Sequence, residues 1–317
     1  VPIDPQVAEL LAKLKAIGGS DYWELTPDAA RDNHNTNSTK LDYLPESVFA
    51  VEDISITSAE LTIPLRLYTP FETTADLPVL VWLHGGGHVI GNLNSYDSLC
   101  RQLALRCECI VVSVEYRLAP EHKFPAAIDD SFAALQWVRE HVSKMGGDAH
   151  RIAVGGDSAG GNLAAACALL ARDCNGPPLV FQLLIYPATA SHPDSASHLE
   201  MAEGYFLSRK TIHWFNEHYL RSEQDRQDFR YAPLIAADVS NLPPALVIVG
   251  EYDPLRDEGI AYAKRLREAG NQVQLTLYNG MIHAFFSLSR IIDKAEQAMS
   301  EVSNALKQAF SVNDDSD

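Results

Sequence analysis

Cysteine is scarce: the 317 residues hold five, Cys100, Cys107, Cys109, Cys167 and Cys174. They fall into no metal-ligand spacing and no even disulfide ladder, which argues against a zinc-built or disulfide-stapled fold. Cys107 and Cys109 lie in or beside an apolar run, where buried free thiols are expected, and a reducing, cytoplasmic setting fits best. Cations are also short, with 25 Lys+Arg against 42 Asp+Glu and a formal net charge of −17. A field of that sign repels phosphate backbones and anionic headgroups, so neither a nucleic-acid partner nor stable membrane association is expected. Long apolar runs are missing, and the longest, Leu163 to Ala171, is too short to cross a bilayer. Val1-Pro2-Ile3-Asp4 shows neither the basic nor the apolar region of a signal peptide. There is no internal repeat, and the one biased stretch is the acidic tail Asn313–Asp317, expected to fray. No G-x-G-x-x-G fingerprint, phosphate-cradling loop or ligand cluster is present, so no cofactor and no metal are expected.

What the chain does have is a 46% hydrophobic content, enough for a sizeable core. Residues 7–17 read as an amphipathic helix, followed by a polar loop through Lys40. Two strand-like runs, Val48–Ile56 and Leu61–Tyr68, are placed to form a hairpin. Beyond Pro70, short β-branched runs alternate with helical stretches. The runs are Pro78–Leu83, Ile110–Val114, Ile152–Val154, Val180–Tyr186, Ala245–Val249 and Val273–Tyr278. The helical stretches lie near Tyr96–Leu105, Pro125–Met145, Asn162–Arg172, Arg256–Ala269 and Ser289–Phe310. This alternation predicts an α/β fold, a mainly parallel eight-stranded sheet with helices on both faces. From Ala188 to Leu242 the rhythm stops, and an aromatic helical stretch runs from Ile212 to Leu220. The expected division is a core at 46–187 and 243–317 under a helical cap formed by 188–242 and residues 1–45.

The sharpest motif is Gly156-Asp157-Ser158-Ala159-Gly160, between the strand-like Arg151–Val154 and the small-residue stretch Asn162–Ala166. Glycines two residues either side of a serine allow a sharp, strained turn from strand to helix. The hydroxyl then projects at a helix N-terminus, where developing negative charge is favoured. Ser158 is therefore the candidate nucleophile. Directly after the strand Val79–Leu83 stands His84-Gly85-Gly86-Gly87. Acyl transfer needs donors aimed at an oxyanion, and Gly85, Gly86 and Gly87 let backbone N–H groups approach it, with Ala159 N–H as a further donor. His84 reads as structural, since the motif works through backbone donors.

His84–Gly87 together with Gly156–Gly160 resembles the hormone-sensitive-lipase family of esterases. Tyr116-Arg117-Leu118-Ala119-Pro120-Glu121 and Phe124-Pro125-Ala126-Ala127 resemble that family's linking block. The match runs from about Pro78 to Phe285. The resemblance implies an α/β-hydrolase fold, a cap over the site, a Ser-Asp-His triad and hydrolysis of small acyl esters, and it allows a homodimer.

In α/β-hydrolases the acid and then the histidine follow the serine along the chain. Gly250-Glu251-Tyr252-Asp253-Pro254-Leu255 follows one strand, and Gly280-Met281-Ile282-His283-Ala284-Phe285 follows the next. Both loops lie past strand C-termini, where parallel sheets place catalytic groups. His283 is the only histidine after His218 and is the candidate base. Among Glu251, Asp253 and Asp257, the last could cap the following helix, and the resemblance assigns Asp253 to the triad. Glu121, Asp129 and Asp130 read as structural hydrogen-bonding groups, while Asp157 has no evident task. Trp214, Phe215, Tyr205, Phe206, Phe285 and Phe286 are either pocket walls or core. The expected function is a serine carboxylesterase for short- to medium-chain acyl esters, with a small-molecule ester as partner. An amidase or deacetylase on aryl amides would use the same residues. A non-catalytic small-molecule receptor of the family would lack the histidine that is present here.

Overall fold

The computed structural model describes residues 1–58 and 61–311. The apolar runs become one eight-stranded sheet: β1 Ala50–Ser58, β2 Leu61–Thr69, β3 Leu77–Leu83, β4 Ile110–Val114, β5 Gly147–Asp157, β6 Leu179–Ile185, β7 Ala245–Tyr252 and β8 Val273–Ile282. The spatial order is β1-β2-β4-β3-β5-β6-β7-β8, with β1/β2 and β2/β4 antiparallel and the remaining pairs parallel. Every residue of β3 and β4 is buried, as expected where helices cover both faces of a parallel sheet.

Side chains of β3 alternate between the two faces. Val79, Val81 and Leu83 join the core formed with α4 (Ala126–His141), α5 (Ala159–Asp173) and α8 (Arg256–Glu268). Leu80 and Trp82 join the opposite core, with α1 (Pro5–Ile17), α3 (Asp97–Cys107) and α9 (Asp293–Ser311). The alanine- and glycine-rich α5 lies close on the sheet and buries twelve residues. After β3 the chain steps to β4 on one side, then returns to β5 on the other. The reversal leaves a crevice between the C-terminal ends of β3 and β5, where open α/β sheets place their sites. His84–Gly87 and Ser158 lie there.

Residues 188–242 contain no strand. They carry α6 (Ala196–Glu200), α7 (Arg209–Tyr219) and two 3₁₀ turns, Glu223–Gln227 and Pro233–Ile235. The N-terminal region departs from the expectation, because Pro27–Leu41 is a helix, α2, where a polar loop was expected. Its termini are well specified. Thr26 caps the Ala29 N–H, Pro27 occupies the first turn with Asp28, and Lys40 sits in the last turn. Only Ala30 is buried, however, so the apolar periodicity that marks most helices is absent.

Residues 1–45 also divide their packing. Val7 and Leu10 of α1 join the core of Met281, Phe286 and Met299. By contrast, Tyr22 meets Phe215 with ring centroids 6.2 Å apart, and Lys210 lies 4.9 Å over the Trp23 ring. Cys100, Cys107, Cys109 and Cys167 are buried and free, and Cys174 is exposed and free. The acidic tail expected to fray lies outside the described residues. Among the described residues, no helix is long and apolar enough to cross a membrane.

Candidate active site

Ser158 sits between β5 and α5 with φ 55° and ψ −117°, a conformation that costs a non-glycine residue of order 1–3 kcal/mol. Main-chain bonds hold it there. Its N–H donates to Ile185 O at 2.8 Å, and its carbonyl accepts the Asn162 and Ala188 N–H groups at 3.0 and 3.2 Å. A side chain at Gly160 would overlap the Leu83 carbonyl, so the second flanking glycine is required by the approach of α5 to the end of β3.

The loops after β7 and β8 bring two further groups to this serine. His283 Nε2 lies 2.9 Å from Ser158 Oγ, and His283 Nδ1 lies 2.7 Å from Asp253 Oδ2. The second oxygen of Asp253 accepts the Leu255 N–H at 2.8 Å, and the carboxylate has no solvent exposure. A buried carboxylate on Nδ1 fixes that nitrogen as the N–H, leaving Nε2 to accept from the serine hydroxyl. The other two carboxylates are engaged elsewhere. Glu251 accepts the Gly280 N–H at 2.7 Å, and Asp257 accepts the Ser197 N–H at 2.8 Å and Arg256 Nε at 2.8 Å.

Gly86 and Gly87, in the loop after β3, take φ values of 117° and 59°. Ala159 opens α5, so its N–H has no partner within the helix. Gly85 is different from the expectation. Its N–H is directed to Asp157 Oδ1 at 2.9 Å and the Tyr96 hydroxyl at 3.0 Å. That engagement leaves Gly86, Gly87 and Ala159 of the four expected donors.

Asp157 thereby acquires a task. It joins Gly85 to Tyr96, whose hydroxyl donates to Oδ2 at 2.9 Å, and so ties the loop after β3 to the end of β5. Burial pushes its carboxyl up to about 6, against the hydrogen bonds from Tyr96 and Gly85. Periodicity cannot reveal such a contact, since its three members are 72 and 61 residues apart. His84 is buried, stacked on Tyr116 at 4.2 Å, and its Nδ1 donates to Gly85 O at 2.8 Å. Burial lowers it to about 4, so it stays neutral and structural.

The remaining candidates separate cleanly. Phe285 and Phe286 are core, Tyr205 stacks on Tyr252 at 5.3 Å, and Phe206 is exposed. Phe215 lies against Gly87, where an added Cβ would strike its ring, and Trp214 packs on it at 5.3 Å. Asp130 holds Arg117 through three bonds of 2.7–2.9 Å, Asp129 faces Arg230 at 3.7 Å, and Glu121 pairs with Arg31. Among the described residues, no group of three His, Cys, Asp or Glu could hold a metal ion.

Comparison with known proteins shows the family and fold. Residues 80–287 match the family described as the alpha/beta hydrolase fold. Carboxylesterase NlhH of Mycobacterium tuberculosis is 43% identical over 288 residues, 89% of each chain. The ethyl acetate hydrolase of Pseudomonas putida is 38% identical over 290 residues, 90% of this chain and 91% of that one. Among solved structures, an ester-hydrolase from the metagenome of Lake Arreo, complexed with a derivative of bipyridine phosphonate, superposes with a TM-score of 0.94. It is 42% identical, with 97% of this chain and 99% of that one covered. The chain belongs to the α/β-hydrolase family, in its hormone-sensitive-lipase-like branch of carboxylesterases.

Proposed function

We propose that this carboxylesterase cleaves short- to medium-chain acyl esters with Ser158 as nucleophile, His283 as base and Asp253 as its orienting acid. The observation that carries this reading is the unbroken line Ser158 Oγ–His283 Nε2–Asp253, with links of 2.9 and 2.7 Å. As Ser158 Oγ bonds to the ester carbonyl carbon, His283 Nε2 takes its proton, and Asp253 stabilises the imidazolium. The carbonyl oxygen becomes an oxyanion facing the N–H groups of Gly86, Gly87 and Ala159. Collapse breaks the C–O bond to the alcohol, which leaves with the proton from His283. Water then repeats the sequence on the acyl-enzyme and releases the acid. Residues 188–242, with α2 and the Tyr22–Trp23 turn, act as a cap over this crevice. The buried thiols support a cytoplasmic location.

A phosphonate monoester with a p-nitrophenolate leaving group tests the nucleophile directly. The expected result is release of one p-nitrophenolate per chain and one phosphonyl adduct, on the peptide carrying Ser158. An adduct elsewhere overturns the assignment.

Phe215 supplies the acyl-chain limit in this reading, because its ring closes the space beside Gly87. Turnover of p-nitrophenyl esters from C2 to C16, with a p-nitroanilide for comparison, should peak at short or medium chains. Phe215→Ala should move that peak toward longer chains, each added buried methylene gaining about 0.8 kcal/mol. A wild-type maximum at C14–C16, or anilide turnover exceeding ester turnover, runs against the proposal.

A further inference from the structure

Helix α2 is held on the molecule in an unusual way. It buries a single residue, Ala30, so apolar packing contributes little to its docking. Its attachment comes instead from polar groups that reach the segment following the crevice glycines. Arg31 Nε donates to Val89 O at 2.9 Å, and Arg31 Nη2 donates to Ala119 O at 2.8 Å. The same guanidinium pairs with both oxygens of Glu121, at 2.8 and 2.6 Å. Further along α2, Asn35 accepts Asn92 Nδ2 at 3.0 Å.

The position of Val89 matters. The N–H groups of Val89 and Ile90 both donate to Gly86 O at 3.0 Å, closing a turn over Gly86–Ile90. The carbonyls of that turn point the other way. His88 O accepts the Ala119 N–H at 2.8 Å, and Val89 O accepts Arg31. One planar guanidinium therefore fixes the turn directly at Val89 and again through Ala119, which holds His88. A fork of N–H donors reaches two carbonyls and a carboxylate at once; a lysine ammonium is a single point on a flexible stem.

We propose that Arg31 is a positioning residue for the oxyanion-binding turn, so that the docking of α2 sets the aim of the Gly86 and Gly87 N–H groups. This rests on the reading of Gly86 and Gly87 as oxyanion donors. Misaimed donors weaken the hold on the transition-state oxygen while leaving the neutral ester's ground-state contacts largely intact. The effect belongs in kcat.

The test compares Arg31→Ala and Arg31→Lys with the parent chain on p-nitrophenyl butyrate, alongside labelling by the p-nitrophenyl phosphonate. Arg31→Ala should lose ~10- to 100-fold in kcat, a fraction of the 10²–10³ typical of deleting an oxyanion donor outright. KM should stay within about threefold, as expected when an interaction specific to the transition state is weakened. Arg31→Lys keeps the charge beside Glu121 but cannot span both carbonyls, and should recover only part of kcat; it also gives the answer if the alanine variant does not fold. Full kcat in folded Arg31→Ala, full recovery by lysine, or a loss confined to KM overturns the proposal. Labelling separates the two levels. If the parent chain takes no phosphonyl group on Ser158, the site reading itself fails. Normal labelling of the parent with unchanged kcat in both variants removes only the role of Arg31.

Discussion

Ser158→Ala should lower kcat for p-nitrophenyl butyrate by about 10⁴–10⁶, the loss seen when a nucleophile is removed from a triad. Thermal unfolding should shift little. The elbow is held by its main chain: the Ser158 N–H on Ile185 O, and the Ser158 carbonyl on the Asn162 and Ala188 N–H groups. Alanine keeps all three bonds and adds no atom to a crowded turn. What it removes is the Oγ–Nε2 bond and the proposed attacking atom. Residual rate would come from oxyanion donors acting on water, which leaves about 10³–10⁴ over the uncatalysed reaction. A folded Ser158→Ala chain retaining more than about a tenth of parent turnover would refute the assignment, given the scale of triad losses.

How much of this was legible in the sequence depended on the range of the physics involved. Strands β3 and β4 could be read because both faces are buried, which forces a continuous apolar run. Ser158 and the glycines flanking it were legible because a strained turn restricts residue types locally. Helix α2 was not, since it is specified by capping at Thr26 and Pro27 and attached by Arg31 rather than by an apolar stripe. The signal was available in the Thr-Pro-Asp start and the lysine near the end, a pattern that periodicity alone passes over. Strand β5 was read as Ile152–Val154 but runs from Gly147 to Asp157, because its first residues carry polar side chains on a shorter buried stretch. The engagement of Gly85 with Asp157 and Tyr96 could not be read from any local pattern. It depends on β3 and β5 becoming neighbours, which is a property of the sheet order.

Asp253→Asn should reduce turnover by about 10³–10⁴, through the tautomer of His283 rather than through packing. The carboxylate uses both oxygens as acceptors, one for His283 Nδ1 at 2.7 Å and one for the Leu255 N–H at 2.8 Å. An amide has one acceptor oxygen. If that oxygen keeps the Leu255 N–H, the NH₂ group faces Nδ1 and favours the tautomer with its proton on Nε2. That nitrogen then cannot accept the Ser158 proton. If the amide turns the other way, its NH₂ opposes the Leu255 N–H, and a buried donor pair is left unsatisfied at about 1–3 kcal/mol. Asp257→Asn is the matched control, nearly isosteric and in the first turn of the adjoining α8. There the carboxylate accepts the Ser197 N–H, which attaches α6 to α8, and pairs with Arg256 of its own helix; neither contact touches His283. Its loss should appear in stability, at about 0.3–1 kcal/mol for a charge near a helix N-terminus, with kcat within a few-fold. The two variants therefore separate orientation of the imidazole from anchoring of the neighbouring helix. Near-parent kinetics in Asp253→Asn, with collapse in Asp257→Asn or Glu251→Gln, would move the acid to another carboxylate and detach the loop after β7 from its role in the triad.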